Sequence, residues 1–133
     1  MNILVTGAAG FIGFSLCKKL LDNTNYTIYG VDNIDNYYSI ILKKKRIKEL
    51  KINKKFKFLK LDLKNIKTFK LLNKKKFKFI FHLAAQPGVR FSTSDPKRYI
   101  DENIIAFTKV LEFSRLQKCL CTFYASSSSV YGD

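Results

Sequence analysis

The sequence predicts an α/β domain with a doubly wound parallel sheet, on three observations. An apolar strand, Asn2 to Thr6, runs straight into the glycine turn Gly7-Ala8-Ala9-Gly10-Phe11-Ile12-Gly13 and then into a helical pattern. Apolar strands and amphipathic segments then alternate to the end of the chain, the mark of parallel strands joined by helical crossovers. The second strand, Thr27 to Val31, ends in an acid, Asp32, nineteen residues beyond Gly13. Together these describe a Rossmann-like βαβ unit of the kind that binds dinucleotides.

Each element follows from its local pattern. The first helix spans about Phe11 to Leu21 and packs close to the sheet at Gly13. A second helix covers about Ser39 to Lys51, and a third strand, Phe56 to Leu61, alternates aromatic or aliphatic residues with lysines. A short helix follows at about Asn65 to Leu72, then a fourth strand from Phe77 to Leu83. A long helix is predicted from about Pro96 to Gln117. Its Ile100, Ile104, Phe107 and Leu111 keep i, i+4, i+7 spacing, and proline suits a first turn. The fifth strand is Cys119 to Ala125. Right-handed crossovers around the glycine turn give the strand order 3-2-1-4-5. No repeat, linker or second domain is visible.

Composition sets further bounds. A chain of 133 residues holds one domain, and at 47% apolar it can bury a core. No stretch is long and apolar enough to span a membrane, and the first apolar run is a strand rather than a leader, so a cytoplasmic protein is expected. Cys17, Cys119 and Cys121 are odd in number and lack C-x-x-C spacing. That argues against a disulfide framework and a zinc site, and reduced, partly buried thiols are expected. The net charge of +15 sits entirely between Lys43 and Lys78, where 17 Lys and Arg face 2 acids. These lysines alternate with Ile, Leu, Phe and Asn, as the exposed positions of helices and a strand would. A drift toward Lys, Ile, Asn and Phe, as an AT-rich genome produces, explains the run without function. No helix-turn-helix, zinc finger or stacking motif accompanies the charge, so no specific nucleic-acid partner is expected.

Ligands of such sheets bind beyond the carboxyl ends of the strands. Gly7 permits the sharp turn, and Gly10 lets backbone approach a pyrophosphate. The helix start behind them offers N–H groups and a positive dipole end. Asp32 can accept hydrogen bonds from an adenosine ribose, and its charge would repel a 2′-phosphate, which favours NAD over NADP. Asp62-Leu63 follows the third strand, where the carboxylate could meet an adenine amino group or cap a helix. The fourth strand leads into His82-Leu83-Ala84-Ala85-Gln86-Pro87-Gly88-Val89-Arg90-Phe91-Ser92. Small residues there suit a cofactor wall, and Arg90 could hold an anionic substrate group or be a solvated charge. His82, the only histidine, is read as packing at the strand end. Ser126 to Gly132 follows the fifth strand, either as part of the same cleft or as a flexible loop.

These residues resemble the extended short-chain dehydrogenase/reductases, specifically the NAD-dependent nucleotide-sugar epimerases and dehydratases. The motifs are T-G-A-A-G-F-I-G, V-D-N, L-D-L, H-L-A-A-Q, D-P-x-x-Y-x-x-x-N (Asp95 to Asn103) and Y-A-S-S-S-S-V-Y-G. Asp32 to Tyr38 and Gln86 to Ser92 look most like UDP-glucuronate 4-epimerases. The resemblance implies that NAD takes a hydride from sugar C4 and returns it to the other face of a 4-keto sugar, with a tyrosinate as base. It places NAD against Phe11, Ile12, Asp32, Asn33, Asp62, Leu63, Leu83, Ala84 and Asn103. It gives Ser127 the catalytic hydroxyl beside the sugar O4 and sets Arg90, Ser127 and Ser128 toward the substrate. A 4,6-dehydratase would carry an Asp-Glu pair where Ser128 and Ser129 stand, so an epimerase is favoured.

The chain departs from the family at the base, a Tyr followed four residues later by Lys. Its seven tyrosines are Tyr26, Tyr29, Tyr37, Tyr38, Tyr99, Tyr124 and Tyr131, and none has Lys at +4. An N-terminal, incomplete NAD-binding domain over residues 1–133 is therefore expected, without the family's substrate-binding part and last strands. Such a portion would be inactive alone and active with a chain that supplies the C-terminal half; a homodimer is the other assembly the resemblance implies. The alternatives are a non-catalytic NAD-binding remnant of a decayed gene and, less favoured, a basic polyanion-binding protein.

Overall fold

Five parallel strands, β1 (Asn2–Thr6), β2 (Thr27–Asp32), β3 (Phe56–Lys60), β4 (Phe77–His82) and β5 (Cys121–Tyr124), form one sheet. Their order is the expected β3-β2-β1-β4-β5. This computed structural model describes residues 1–132, without the side chains of Val89, Ser128 and Ser129. Register brings the carboxyl ends level: Thr6 lies opposite both Val31 and His82, and His82 lies opposite Tyr124. Every loop that leaves a strand end therefore starts from one rim.

Alternation along β1 sorts the core into two layers. Ile3 and Val5 face α1 (Phe11–Asn23) and α2 (Ile40–Leu50), packing with Cys17, Leu21, Ile47 and Leu50. Leu4 faces the other way, with Ile80, against Phe69 and Leu72 of α3 (Ile66–Asn73). A strand buried on both faces reads as an unbroken apolar run, as Ile3-Leu4-Val5 of β1 does. Each fully buried Leu or Ile contributes about 1.5–3 kcal/mol relative to exposure. At the β3 edge, Lys57 and Lys60 are exposed, which discourages further strand pairing.

Caps set the helix starts. Ser39 Oγ accepts the Leu42 N–H, and Asn65 Oδ1 accepts the Lys67 N–H. Three features differ from expectation. A six-residue helix, α4 (Val89–Ser94), occupies the stretch expected to be loop, and Asp95 at φ −141°, ψ 72° breaks it from the next helix. The long helix is divided into α5 (Pro96–Ile100), a π-helical turn (Asp101–Ile105) and α6 (Ala106–Gln117). Lys118, at φ 53°, turns the chain after α6, so β5 starts at Cys121 rather than Cys119. The three cysteines are free, and Cys17 is buried.

Candidate functional site

A cleft of about 280 Å³ opens where the strand ends meet. The glycine turn lines it with Gly7, Gly10, Phe11, Ile12 and Gly13, and the loop after β2 with Asp32, Asn33, Asp35 and Tyr37. Leu61 and Leu63 come from beyond β3, and Leu83, Ala84 and Gln86 from beyond β4.

The three glycines of the turn do different work. Gly7 sits at φ 69°, and a Cβ there would lie 2.7 Å from Leu83 O. A left-handed conformation and no room together require glycine. A Cβ on Gly13 would press on the Gly7 backbone, with Gly7 C at 2.8 Å. A Cβ on Gly10 would meet only Gly7 O, at 3.1 Å, with nothing else of the protein within 4 Å. No side-chain cap covers the start of α1. The open side at Gly10 and the uncapped N–H groups behind it form a cradle of the size and polarity that a phosphate needs.

Asp32 is 8% exposed, and both its oxygens are engaged. Oδ2 accepts the Ala9 N–H at 3.0 Å and Oδ1 the Ile34 N–H at 2.8 Å. The acid thus ties the glycine turn to the loop after β2. Two more such bonds follow: Asn33 Oδ1 accepts the Asp35 N–H, and Asp35 Oδ1 accepts the Tyr37 N–H. Three successive side-chain turns fix this wall and hold Ile34 at φ 56°, a conformation a β-branched residue seldom adopts.

Two members of the basic run point inward, against the reading of that run as solvated surface. Lys43 is 7% exposed and lines the cleft. Its Nζ donates to Asp35 Oδ1 at 2.7 Å and to Asp35 O at 3.1 Å. Burial opposes ionisation of Asp35, but the bond from Lys43, helped by Arg98, holds its carboxyl below the usual range. Arg46 donates to Ala9 O at 3.1 Å and lies over the Phe11 ring.

Beyond β4, the Thr6 hydroxyl accepts the N–H groups of Leu83 and Ala84, both at 3.2 Å. Its own proton is then directed to His82 Nδ1, 2.8 Å away, which leaves the imidazole proton on Nε2. Burial pushes the His82 pKa down to about 4, and its ring stacks on Phe107. His82 is therefore neutral at pH 7 and braces the cleft wall. Asn103, in the π-helical turn, clasps the next stretch: Oδ1 accepts the Gln86 N–H and Nδ2 donates to Gln86 O. The same turn presents Glu102 to the cleft, paired with Lys64 at 2.6 Å. Gln86 Oε1 is buried without a partner among the described residues.

The other sequence-predicted residues lie farther out. Asp62 is not among the lining residues; its Oδ1 accepts the Lys64 N–H at 2.8 Å. Asn103 also stands behind the lining. Arg90 is exposed on α4, outside the cleft lining. Ser127 follows β5, with its carbonyl accepting the Val130 N–H. The Ser128 side chain lies outside the described residues. Among the described residues no three His, Cys, Asp or Glu gather as metal ligands, and no helix is long and apolar enough to cross a membrane. Lys43, Arg46, Glu102 and Gln86 were not foreseen as site residues. An inward period within the lysine run was the only signal for the first two.

The family model described as GDP-mannose 4,6 dehydratase matches residues 4–133. Protein CapI of Staphylococcus aureus is 46% identical over 133 residues, covering 99% of this chain and 39% of that protein. A UDP-glucuronate 4-epimerase of Thermodesulfobacterium geofontis is 37% identical over 129 residues, covering 96% of this chain and 40% of the relative. The crystal structure of UDP-glucuronic acid 4-epimerase from Bacillus cereus, in complex with UDP-glucuronic acid and NAD, superposes with TM-score 0.89 at 40% identity. It is covered over 42% of its length by the whole of this chain. The chain thus spans about two fifths of the relatives it matches.

Proposed function

This chain belongs to the GDP-mannose 4,6-dehydratase family, and from that premise we propose that it is the NAD-binding portion of a UDP-glucuronate 4-epimerase-like enzyme. The observation that carries this reading is the glycine cradle at an uncapped helix start, set beside the buried carboxylate of Asp32. Gly10 and the N–H groups of Phe11 and Ile12 would take the pyrophosphate. Asp32 would meet the adenosine ribose through lone pairs left after its two backbone bonds. Leu61, Leu63 and Ala84 give an apolar slot for the adenine, and Gln86 beside it holds a buried acceptor with no partner among the described residues.

When bound, NAD would supply the oxidant and reductant for inversion at sugar C4. The chain's own part is to hold that cofactor and, at Ser127, to offer a hydroxyl to the substrate O4. It carries no Tyr-x-x-x-Lys, and His82, neutral and turned to Thr6, is no substitute base. With Ser128 and Ser129 in place of an acid pair, epimerisation is favoured over dehydration. The substrate would be a UDP-sugar, with the base supplied by a Tyr-x-x-x-Lys outside these 133 residues.

The test is to titrate NAD into the purified chain and to assay UDP-glucuronate and UDP-galactose turnover. Binding without turnover is expected, since general base catalysis typically contributes about 10²–10⁴-fold. Activity should appear on adding a chain that carries Tyr-x-x-x-Lys. No NAD binding, or turnover by the pure monomer, would refute the reading.

A further inference from the structure

The wall of the cleft beside Asp32 contains a cation that the NAD reading does not use. Lys43 lines the same cleft as Asp32 and Asn33, yet its ammonium is engaged twice by one residue, through Asp35 Oδ1 and Asp35 O. Arg98 of α5 stands 3.5 Å from the other Asp35 oxygen. A lysine this deeply placed needs an anion, because an unpaired buried ammonium is costly. Whichever anion sits there decides what else the ammonium can hold.

We propose that Asp35 is a cofactor-specificity residue: by holding the Lys43 ammonium, it keeps a cleft-lining cation from engaging the 2′-phosphate of NADP. This rests on the reading that the cleft binds NAD. Repulsion by Asp32 then accounts for only part of the discrimination. Asp32 has a cationic neighbour, Arg46, which bonds to the carbonyl of the same Ala9 whose N–H Asp32 accepts. The rest comes from Lys43 being already occupied. A phosphate dianion is the ligand an ammonium released from Asp35 would favour.

Asp35→Asn is the decisive variant. An amide oxygen can still accept the Tyr37 N–H and preserve the turn, while the negative charge is removed. NAD and NADP are titrated calorimetrically into the wild type, Asp35→Asn, Lys43→Met and the double variant, with no turnover needed. The NAD-to-NADP affinity ratio should fall by about tenfold or more in Asp35→Asn, chiefly through tighter NADP binding. The gain should vanish in the double variant. Wild type that binds neither cofactor would refute the NAD reading itself. Wild type that binds NAD, with Asp35→Asn gaining nothing for NADP, would overturn this proposal alone. A gain that persists without Lys43 would shift the role to Arg98 and also overturn it. If Asp35→Asn does not fold, Asp35→Ser decides: its hydroxyl can also accept the Tyr37 N–H without the charge, and an unchanged NADP affinity there would overturn the proposal.

Discussion

Alanine at Gly10 and at Gly13 should separate ligand binding from packing. At Gly13 the new Cβ would press on backbone, 2.8 Å from Gly7 C. Carbon atoms prefer about 3.5–4.0 Å, so α1 or the turn must move by roughly 0.7 Å or more. Overpacking of this kind costs about 1–3 kcal/mol, occasionally more, and the Gly7 carbonyl oxygen, closer still to the new Cβ, puts this case at about 3 kcal/mol. Helix propensity returns up to about 1 kcal/mol. A net loss of about 2 kcal/mol is expected, or roughly 6–10 °C in Tm for a chain of this size. At Gly10 the Cβ would meet one atom at 3.1 Å, and its φ of −69° suits alanine. Stability should change by less than about 1 kcal/mol. NAD affinity should instead fall roughly 5–150-fold, the equivalent of about 1–3 kcal/mol for a methyl group placed where a phosphate must approach. Thermal unfolding without ligand and calorimetric NAD titration measure the two effects. Gly10→Ala losing as much stability as Gly13→Ala while keeping its NAD affinity would refute the division of roles.

Three further outcomes are expected. His82 has a pKa of about 4 when folded against 6.5 ordinarily, so the unfolded chain binds more protons between these values. Its contribution, about 3 kcal/mol, is complete above pH 6.5 and is lost as pH falls toward 4. Urea midpoints should trace this, and a slope as steep in His82→Gln would count against it. Asp32→Ala should weaken NAD binding, narrow the preference over NADP and cost about 1–3 kcal/mol of stability, because it frees two backbone N–H groups. NADP binding as tightly as NAD to the wild type would contradict the role of Asp32. DNA or RNA binding by the basic stretch should be weak, sequence-blind and steeply salt-dependent. A filter-binding titration that finds sequence selectivity at physiological salt would overturn that view.

The elements read most clearly from sequence were those with contrast in their pattern. β1, the glycine turn and the end of β2 announce themselves because apolar runs meet glycines and an acid at fixed distances. The chain from Lys43 to Lys48 has little contrast, since inward Lys43 and Arg46 are the same kinds of residue as their solvated neighbours. Helix α4 spans six residues, too few to show a period. The π-helical turn leaves no trace in composition. Its effect is visible only in space, where Asn103 reaches the backbone of Gln86 and Glu102 reaches the cleft. Asp62 shows a third limit. A carboxylate after a strand suits a ligand or a turn equally well, and here its Oδ1 accepts the Lys64 N–H.

The succession of side-chain turns through Asp32, Asn33 and Asp35 has a thermodynamic consequence. Fixing the backbone of one residue costs about 1–2 kcal/mol in conformational entropy. In this loop that cost falls on folding, because the bonds that fix it are all internal to the chain. An incoming nucleotide meets a wall that is already set and retains more of its contact energy as affinity. Association should accordingly proceed in one step, without the slow phase that ordering a loop around its ligand would add.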